Sequence, residues 1–149
     1  MITDIGHPAF ACHDVDATLR FYALLGVTES FRLVKEDGSL RLIYLQVAEE
    51  RFLELFPGDP APREKREATS YRHLCLLTSD LHGAVEHLRA AGVTIDRQPL
   101  QGLDANWQAW IRDPDGNDIE LLRLDEMSPQ RATIRGEKPA GAGIVSPAG

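Results

Sequence analysis

The feature that most limits how this chain can fold is a repeat with a period of 66 residues. It sets His7 equivalent to His73 and Glu54 equivalent to Glu120, so each half carries one His followed 47 residues later by one Glu. The same offset superimposes Asp14 on Asp80 and the run Gly26-Val27-Thr28 on Gly92-Val93-Thr94 without a gap. A fixed period of this length means one supersecondary unit built twice. Two potential metal ligands come with each copy.

The order of elements within a copy follows from periodicity and turn chemistry. Ile5 to Cys12 is short, apolar and bounded by His13-Asp14, which predicts a strand ending at a helix start capped by Asp14. Val15, Leu19, Tyr22 and Leu25 recur at helical spacing, and Gly26 stands where a helix C-terminal glycine belongs. Thr28 to Val34, Leu40 to Ala48 and Arg51 to Phe56 then read as three strands, the first two separated by the turn Glu36-Asp37-Gly38. The second copy repeats this order: strand His73 to Thr78, cap Asp80, helix Leu81 to Ala91, stop Gly92. Its remaining strands are expected at about Thr94 to Gln98, Trp107 to Arg112 and Asp118 to Leu124. Asp113-Pro114-Asp115-Gly116-Asn117 is a strong reverse-turn signal, so Glu120 sits on the returning strand of a hairpin. The expected fold is therefore α+β, two tandem βαβββ modules. One domain over residues 1–126 is expected, with module one at 1–58, a Pro-rich and charged linker at 59–70, and module two at 71–126. From 127 to 149 the Pro, Gly and Ala content rises and periodicity is lost, which predicts an extended tail without a catalytic role.

Composition narrows the partners. A formal charge of −7 argues against nucleic acid or an anionic membrane surface, and no apolar run approaches the length of a membrane span. MITDIGHPAF shows no basic segment followed by an apolar run, so a cytoplasmic location is expected. Cys12 and Cys75 are too few for a disulfide scaffold and are expected as reduced thiols.

Side chains alternate across a strand, so His7 shares a face with Ala9 and Ala11, and Glu54 with Phe52 and Phe56. Likewise His73 shares a face with Cys75 and Leu77, and Glu120 with Asp118 and Leu122. If these faces line one curved sheet, two carboxylates and two imidazoles converge in an apolar cup. Close carboxylates repel, and a buried unpaired charge is costly enough that the group takes up a proton instead. A divalent ion removes the conflict. A lone His or Glu near a strand end is more often a satisfied surface or core residue; the repeated spacing favours ligation for the set. Two His and two Glu suit Ni²⁺, Co²⁺, Zn²⁺, Mn²⁺ or Fe²⁺ without choosing among them.

The pattern resembles the vicinal oxygen chelate superfamily over about residues 5 to 126. The residues that carry the resemblance are His7-Pro8-Ala9-Phe10, Phe21-Tyr22, Phe52-Leu53-Glu54-Leu55, His73-Leu74-Cys75-Leu76 and Asp113-Pro114-Asp115-Gly116-Asn117 followed by Ile119-Glu120-Leu121. It implies a cupped mixed sheet around one divalent metal per site, bound by His7, Glu54, His73 and Glu120, a small-molecule substrate and a homodimer. The ligand set is most similar to that of glyoxalase I, a lyase that isomerises a hemithioacetal to a thioester. Extradiol dioxygenases of the superfamily use His, His and Glu and would not need Glu54. Acyl-CoA epimerases usually carry Gln at the second ligand position, and antibiotic-binding resistance proteins commonly lack the ligands. The Arg and Asn that help hold glutathione in similar bacterial enzymes correspond to Ala11 and Gly58 here, so the metal chemistry carries over and glutathione does not.

The implied reaction is polarisation of a substrate carbonyl by the metal, with Glu54 or Glu120 as the catalytic base that removes the adjacent proton to give an enediolate. Cys75 is expected as a small core residue. One of Trp107 and Trp110 is expected to face the pocket, since the two alternate faces. Arg32, Arg41 and Tyr44 could meet a substrate anion, a solvated strand face being the simpler reading of the arginines. His13, His82 and His87 are expected at the surface.

Overall fold

In a computed structural model, residues 1–58 and 70–140 are described. The chain divides into two compact units. Unit one is Met1–Ser70 with Asp113–Asn117, and unit two is Tyr71–Arg112 with Asp118–Gly149. The element order is β1 (Ala9–Cys12), α1 (Val15–Leu24), β2 (Thr28–Val34), β3 (Leu40–Ala48) and β4 (Arg51–Pro57), followed by β5 (Leu74–Leu77), α2 (Leu81–Ala90), β6 (Arg97–Gln101), β7 (Trp107–Arg112), β8 (Asp118–Arg123) and α3 (Pro129–Ile134). The duplicated βαβββ order is present, as two four-stranded mixed sheets ordered β1-β4-β3-β2 and β5-β8-β7-β6. In each, the first and last strands of the copy pair in parallel and the rest pair antiparallel.

Local chemistry accounts for the helix boundaries. The Asp14 carboxylate accepts the Ala17 N–H at 2.9 Å, and Asp80 accepts that of Gly83 at 2.9 Å, satisfying donors that a helix start leaves open. Gly26 and Gly92 follow the helices with φ of 75° and 85°, the left-handed region where a Cβ would be strained. Each helix buries one face: Thr18, Phe21 and Tyr22 of α1, and Leu81, Val85 and Leu88 of α2.

Strand alternation then sorts the sheet faces. In unit one, Leu53 and Leu55 are almost fully buried, with Leu55 paired to Phe10 and to Ile43. In unit two, Ile119 and Leu121 are buried opposite Ile111 and Ala109. Removing one such leucine to alanine costs about 2–5 kcal/mol. Because side chains alternate, Glu54 and Glu120 stand on the other face of each sheet.

Three details depart from expectation. Regular pairing in the first strand begins at Ala9, because Pro8 has no N–H to donate. The strand nevertheless runs on beside β4, where Phe52 N–H donates to Gly6 C=O and Glu54 N–H to Pro8 C=O, both at 3.0 Å. β6 starts at Arg97 instead of Thr94, and its pairing with β7 shifts register between Arg97 and Leu100, across Pro99. Residues 129–134, expected to be extended, form α3, with the Ser128 hydroxyl accepting from Arg131 N–H at 3.2 Å and Pro129 in the first turn. The Pro-rich stretch 59–69 and residues 141–149 lie outside the described residues. Among the described residues no helix is long and apolar enough to cross a membrane.

Candidate functional site

The helix-free face of each sheet carries one of the duplicated pairs. In unit one, Ala9 registers with Glu54, and His7, two residues earlier, keeps the same face. Its Nε2 lies 3.2 Å from Glu54 Oε2. In unit two, Cys75 registers with Glu120, and His73 Nε2 lies 3.1 Å from Glu120 Oε2. The imidazoles are the open partners, 42% and 33% exposed, and the carboxylates the sunken ones, 11% and 14%. The structure therefore brings His7 to Glu54 and His73 to Glu120. Among the described residues no group of three or more His, Cys, Asp or Glu could hold one metal ion.

Both pairs pass a simple test of fit. An imidazole Nε2–H donates to a carboxylate at this distance. The same spacing suits neighbouring ligands on one ion. Metal–nitrogen and metal–oxygen bonds of about 2.0–2.2 Å at right angles put the two donors about 3 Å apart. Each unit can thus offer two adjacent donors, one neutral and one anionic, on an open face.

The surroundings of the pairs differ. In unit one a row runs across the sheet from Phe31 through Tyr44 to Glu54, each registered with the next. Tyr44 stacks on Phe31 at 4.5 Å between centroids and meets the His7 ring edge-on at 5.8 Å. Its hydroxyl donates to the Glu54 carboxylate, which first and foremost holds the phenol proton on and raises its pKa. In unit two the equivalent row runs from Arg97 through Trp110 to Glu120. The His73 ring lies 4.7 Å from Trp110, and the Arg97 guanidinium carbon lies 5.6 Å from the Trp110 centroid. The indole N–H of Trp110 donates to Gln108 Oε1 at 3.1 Å.

These neighbours refine the sequence reading. Trp110 is the tryptophan beside the candidate ligands, whereas Trp107 lies against His82. Cys75 is not a core residue: it is exposed, next to Glu120 in register. Its thiol is pushed up to about 12, by the desolvation that its neighbours impose and then by the Glu120 charge. Arg32 is bidentate to Glu29 at 2.7 and 2.5 Å. Arg97 was missed, although it stands one repeat period after Phe31 as Trp110 does after Tyr44.

The turn Asp113–Asn117 proves to be more than a hairpin closure. It belongs to unit one, where Asp115 accepts the His13 N–H at 2.7 Å and the Thr18 hydroxyl at 2.8 Å, and Asp113 accepts the Tyr22 hydroxyl at 3.1 Å. Asp113 also takes the backbone N–H of Asp115 and Asn117 at 3.0 and 2.8 Å. Burial raises its pKa, against the Asn117 and Tyr22 hydrogen bonds that lower it.

Comparison with known proteins places these features in a family. Residues 4–121 match the model described as Glyoxalase/Bleomycin resistance protein/Dioxygenase superfamily. A glyoxalase domain-containing protein of Mycosarcoma maydis is 27% identical over 128 residues, 80% of this chain and 68% of the relative. Among solved structures, a glyoxalase family protein from Enterococcus faecalis shares the fold with a TM-score of 0.66 and 24% identity, covering 80% of this chain and 96% of that one. Lactoylglutathione lyase from Agrobacterium tumefaciens does so with a TM-score of 0.60 and 20% identity, covering 82% and 94%.

Proposed function

Because this chain belongs to the Glyoxalase/Bleomycin resistance protein/Dioxygenase superfamily, we propose that it is a metal-dependent, glyoxalase I-like isomerase or lyase. Its substrate class is a small α-hydroxycarbonyl compound or hemithioacetal. His7, Glu54, His73 and Glu120 are the metal ligands of this reading. The observation that carries it is the duplicated imidazole–carboxylate pair, at 3.2 and 3.1 Å, on an open aromatic face of each sheet.

A divalent ion held there would supply Lewis acidity to two neighbouring substrate oxygens, making the adjacent C–H acidic. The protein's own groups do the rest. His7 and His73 give neutral nitrogen donors, so the carboxylates of Glu54 and Glu120 carry the compensating charge. One of these carboxylates takes the proton from the carbon beside the carbonyl and returns it to the neighbouring carbon. Tyr44 fixes the Glu54 carboxylate by hydrogen bonding. Phe31, Tyr44 and Trp110 give the substrate carbon skeleton an apolar surface. With Ala11 and Gly58 in place of polar side chains, glutathione is not part of the proposal.

Elemental analysis of the purified protein beside His73→Ala is the test. About one transition ion per chain is expected in the wild type and its loss in the variant. A homodimer in solution would accord with either chain pairing. A wild type that takes up no metal after reconstitution under reducing conditions would replace catalysis with small-molecule sequestration.

A further inference from the structure

The two copies differ most at the outer end of the row that crosses each sheet. Position 31 is Phe and its repeat equivalent is Arg97, so one row ends in an aromatic ring and the other in a cation. Arg97, Trp110 and Glu120 are successive register partners, hence on one face of the β6-β7-β8 sheet. Two strand spacings of about 4.8 Å separate the Arg97 backbone from that of Glu120.

Most other arginines of unit two already stand beside a carboxylate. Arg89 pairs with Glu86, Arg112 with Asp118 at 2.8 Å, Arg131 with Glu126 at 3.5 Å and Arg135 with Glu137 at 2.9 Å. Among the described residues Arg97 has no carboxylate at such a distance. Its guanidinium instead lies over Trp110, whose ring also contacts His73. Stacking on an indole restrains a guanidinium without consuming its N–H donors, which remain free for a planar or tetrahedral oxyanion.

We propose that Arg97 recognises an oxyanion on the substrate, a carboxylate or a phosphate, a few atoms from the oxygens that His73 and Glu120 serve. The inference rests on the metal-site reading for the position of those oxygens, and it deepens that reading by naming a substrate class. Trp110 is the floor between the two ends. In unit one the equivalent position is Phe31, stacked on Tyr44, which offers no such charge. The positions that hold glutathione in similar enzymes are apolar or bare here, and Arg97 gives the charge a different anchor.

The test uses three hydroxamates, each offering two adjacent oxygens, with a carboxylate tail (glutaric monohydroxamate), a phosphonate tail of equal length, or an uncharged alkyl tail. Binding to the full chain loaded with cobalt is measured by calorimetry, for wild type and Arg97→Gln. The expected result is a preference for anionic over neutral tails of roughly 10- to 100-fold in wild type, the range for charge-assisted hydrogen bonds. In Arg97→Gln that preference disappears while neutral-tail affinity stays unchanged, and the better of the two anionic tails identifies the oxyanion. A wild type without the preference, or a variant that keeps it, overturns the proposal. If the chain holds no metal and binds no hydroxamate, the metal-site reading fails by itself. Metal-free protein is then titrated with glutarate and with inorganic phosphate while the Arg97 Nε–H resonance, assigned by its absence in Arg97→Gln, is followed. Movement of that resonance supports the oxyanion role, and an unmoved resonance overturns it.

Discussion

The His7–Glu54 and His73–Glu120 pairs share a backbone and differ in almost everything around it. Register, strand order and the imidazole–carboxylate distance repeat from one unit to the other. The neighbours do not: Tyr44 becomes Trp110, Phe31 becomes Arg97 and Ala9 becomes Cys75. A phenol hydrogen-bonds Glu54, whereas the indole N–H beside Glu120 is committed to Gln108. Duplication thus supplies donors in equivalent places, and substitution of their neighbours makes the two carboxylates chemically unequal.

The sharpest way to break the comparison is at the carboxylates. Under the proposed function, Glu54→Gln and Glu120→Gln each lower turnover by at least about 100-fold, the lower range for losing a general base, and at least one retains metal. Steady-state rates and metal content of both variants decide it, and full activity in either sinks the carboxylate-base mechanism.

Next in size is a contrast in turns. Asp115 and its repeat equivalent Glu49 both follow the third strand of their copy, yet Asp115 is 5% exposed and Glu49 lies at the surface. Asp115→Ala strands the His13 N–H and the Thr18 hydroxyl and is expected to cost about 2–4 kcal/mol. Glu49→Ala is expected to stay within about 0.5 kcal/mol. Urea unfolding of the two variants measures the difference, and equal midpoints would remove the Asp115 contacts from any stabilising role.

Tyr44→Phe keeps the ring and removes the phenol, so several-fold slower turnover with unchanged metal content is expected. Trp110→Phe leaves the hydrogen bonding of Glu120 alone and should alter substrate affinity more than turnover. Kinetics of the pair, compared side by side, show whether the phenol accounts for the inequality.

The smallest effect concerns acid. Asp104 and Asp37 both lie in turns. Asp37 is held below its ordinary value by the adjacent Ser39. For Asp104 partial burial pushes upward, but the Asn106 and Gln130 amides outweigh it and the net shift is downward. Since Gln130 belongs to α3, Asp104 contributes to seating that helix by accepting the Gln130 amide at 3.0 Å, and Asn106, which donates to Asp104 at 2.7 Å, also donates to Gln130 at 3.0 Å. A carboxylate depressed in the folded state contributes stability above its unfolded value of about 3.9, and that stability disappears as pH falls through the lower folded value. Amide protection factors in α3, corrected for the intrinsic pH dependence of exchange, should therefore fall below about pH 4, and Asp104→Asn should flatten that dependence. No change in the profile would exclude Asp104 as its source.

Much of this was legible from spacing. The 66-residue period gave the βαβββ order, both aspartate caps and the glycine stops, because each has a local chemical cause. The start of β6 was not legible, since Pro99 interrupts its pairing and leaves no alternating pattern to follow. Helix α3 was hidden by a Pro- and Gly-rich context, although Ser128-Pro129 is a helix-start signal by itself. The repeat marked one His and one Glu in each copy, but their contact, like that of Arg97 with Trp110, required cross-strand register, which a single sequence does not carry.

The interruption at Pro99 has a further consequence for how each sheet meets its surroundings. β6 and β2 are both outermost strands, with backbone groups that a visiting strand could zip onto. Pro99 removes a donor from the middle of β6 and the adjoining register shift bends its ladder, so that border is blunted. β2 also shifts register, between Glu29 and Phe31 and between Leu33 and Val34, but it has no proline, is exposed at every residue and displays Phe31, Leu33 and Val34. Any unwanted strand-to-strand adhesion of this protein in concentrated solution should therefore begin at Thr28–Val34, and a lysine or proline placed there is the natural way to discourage it.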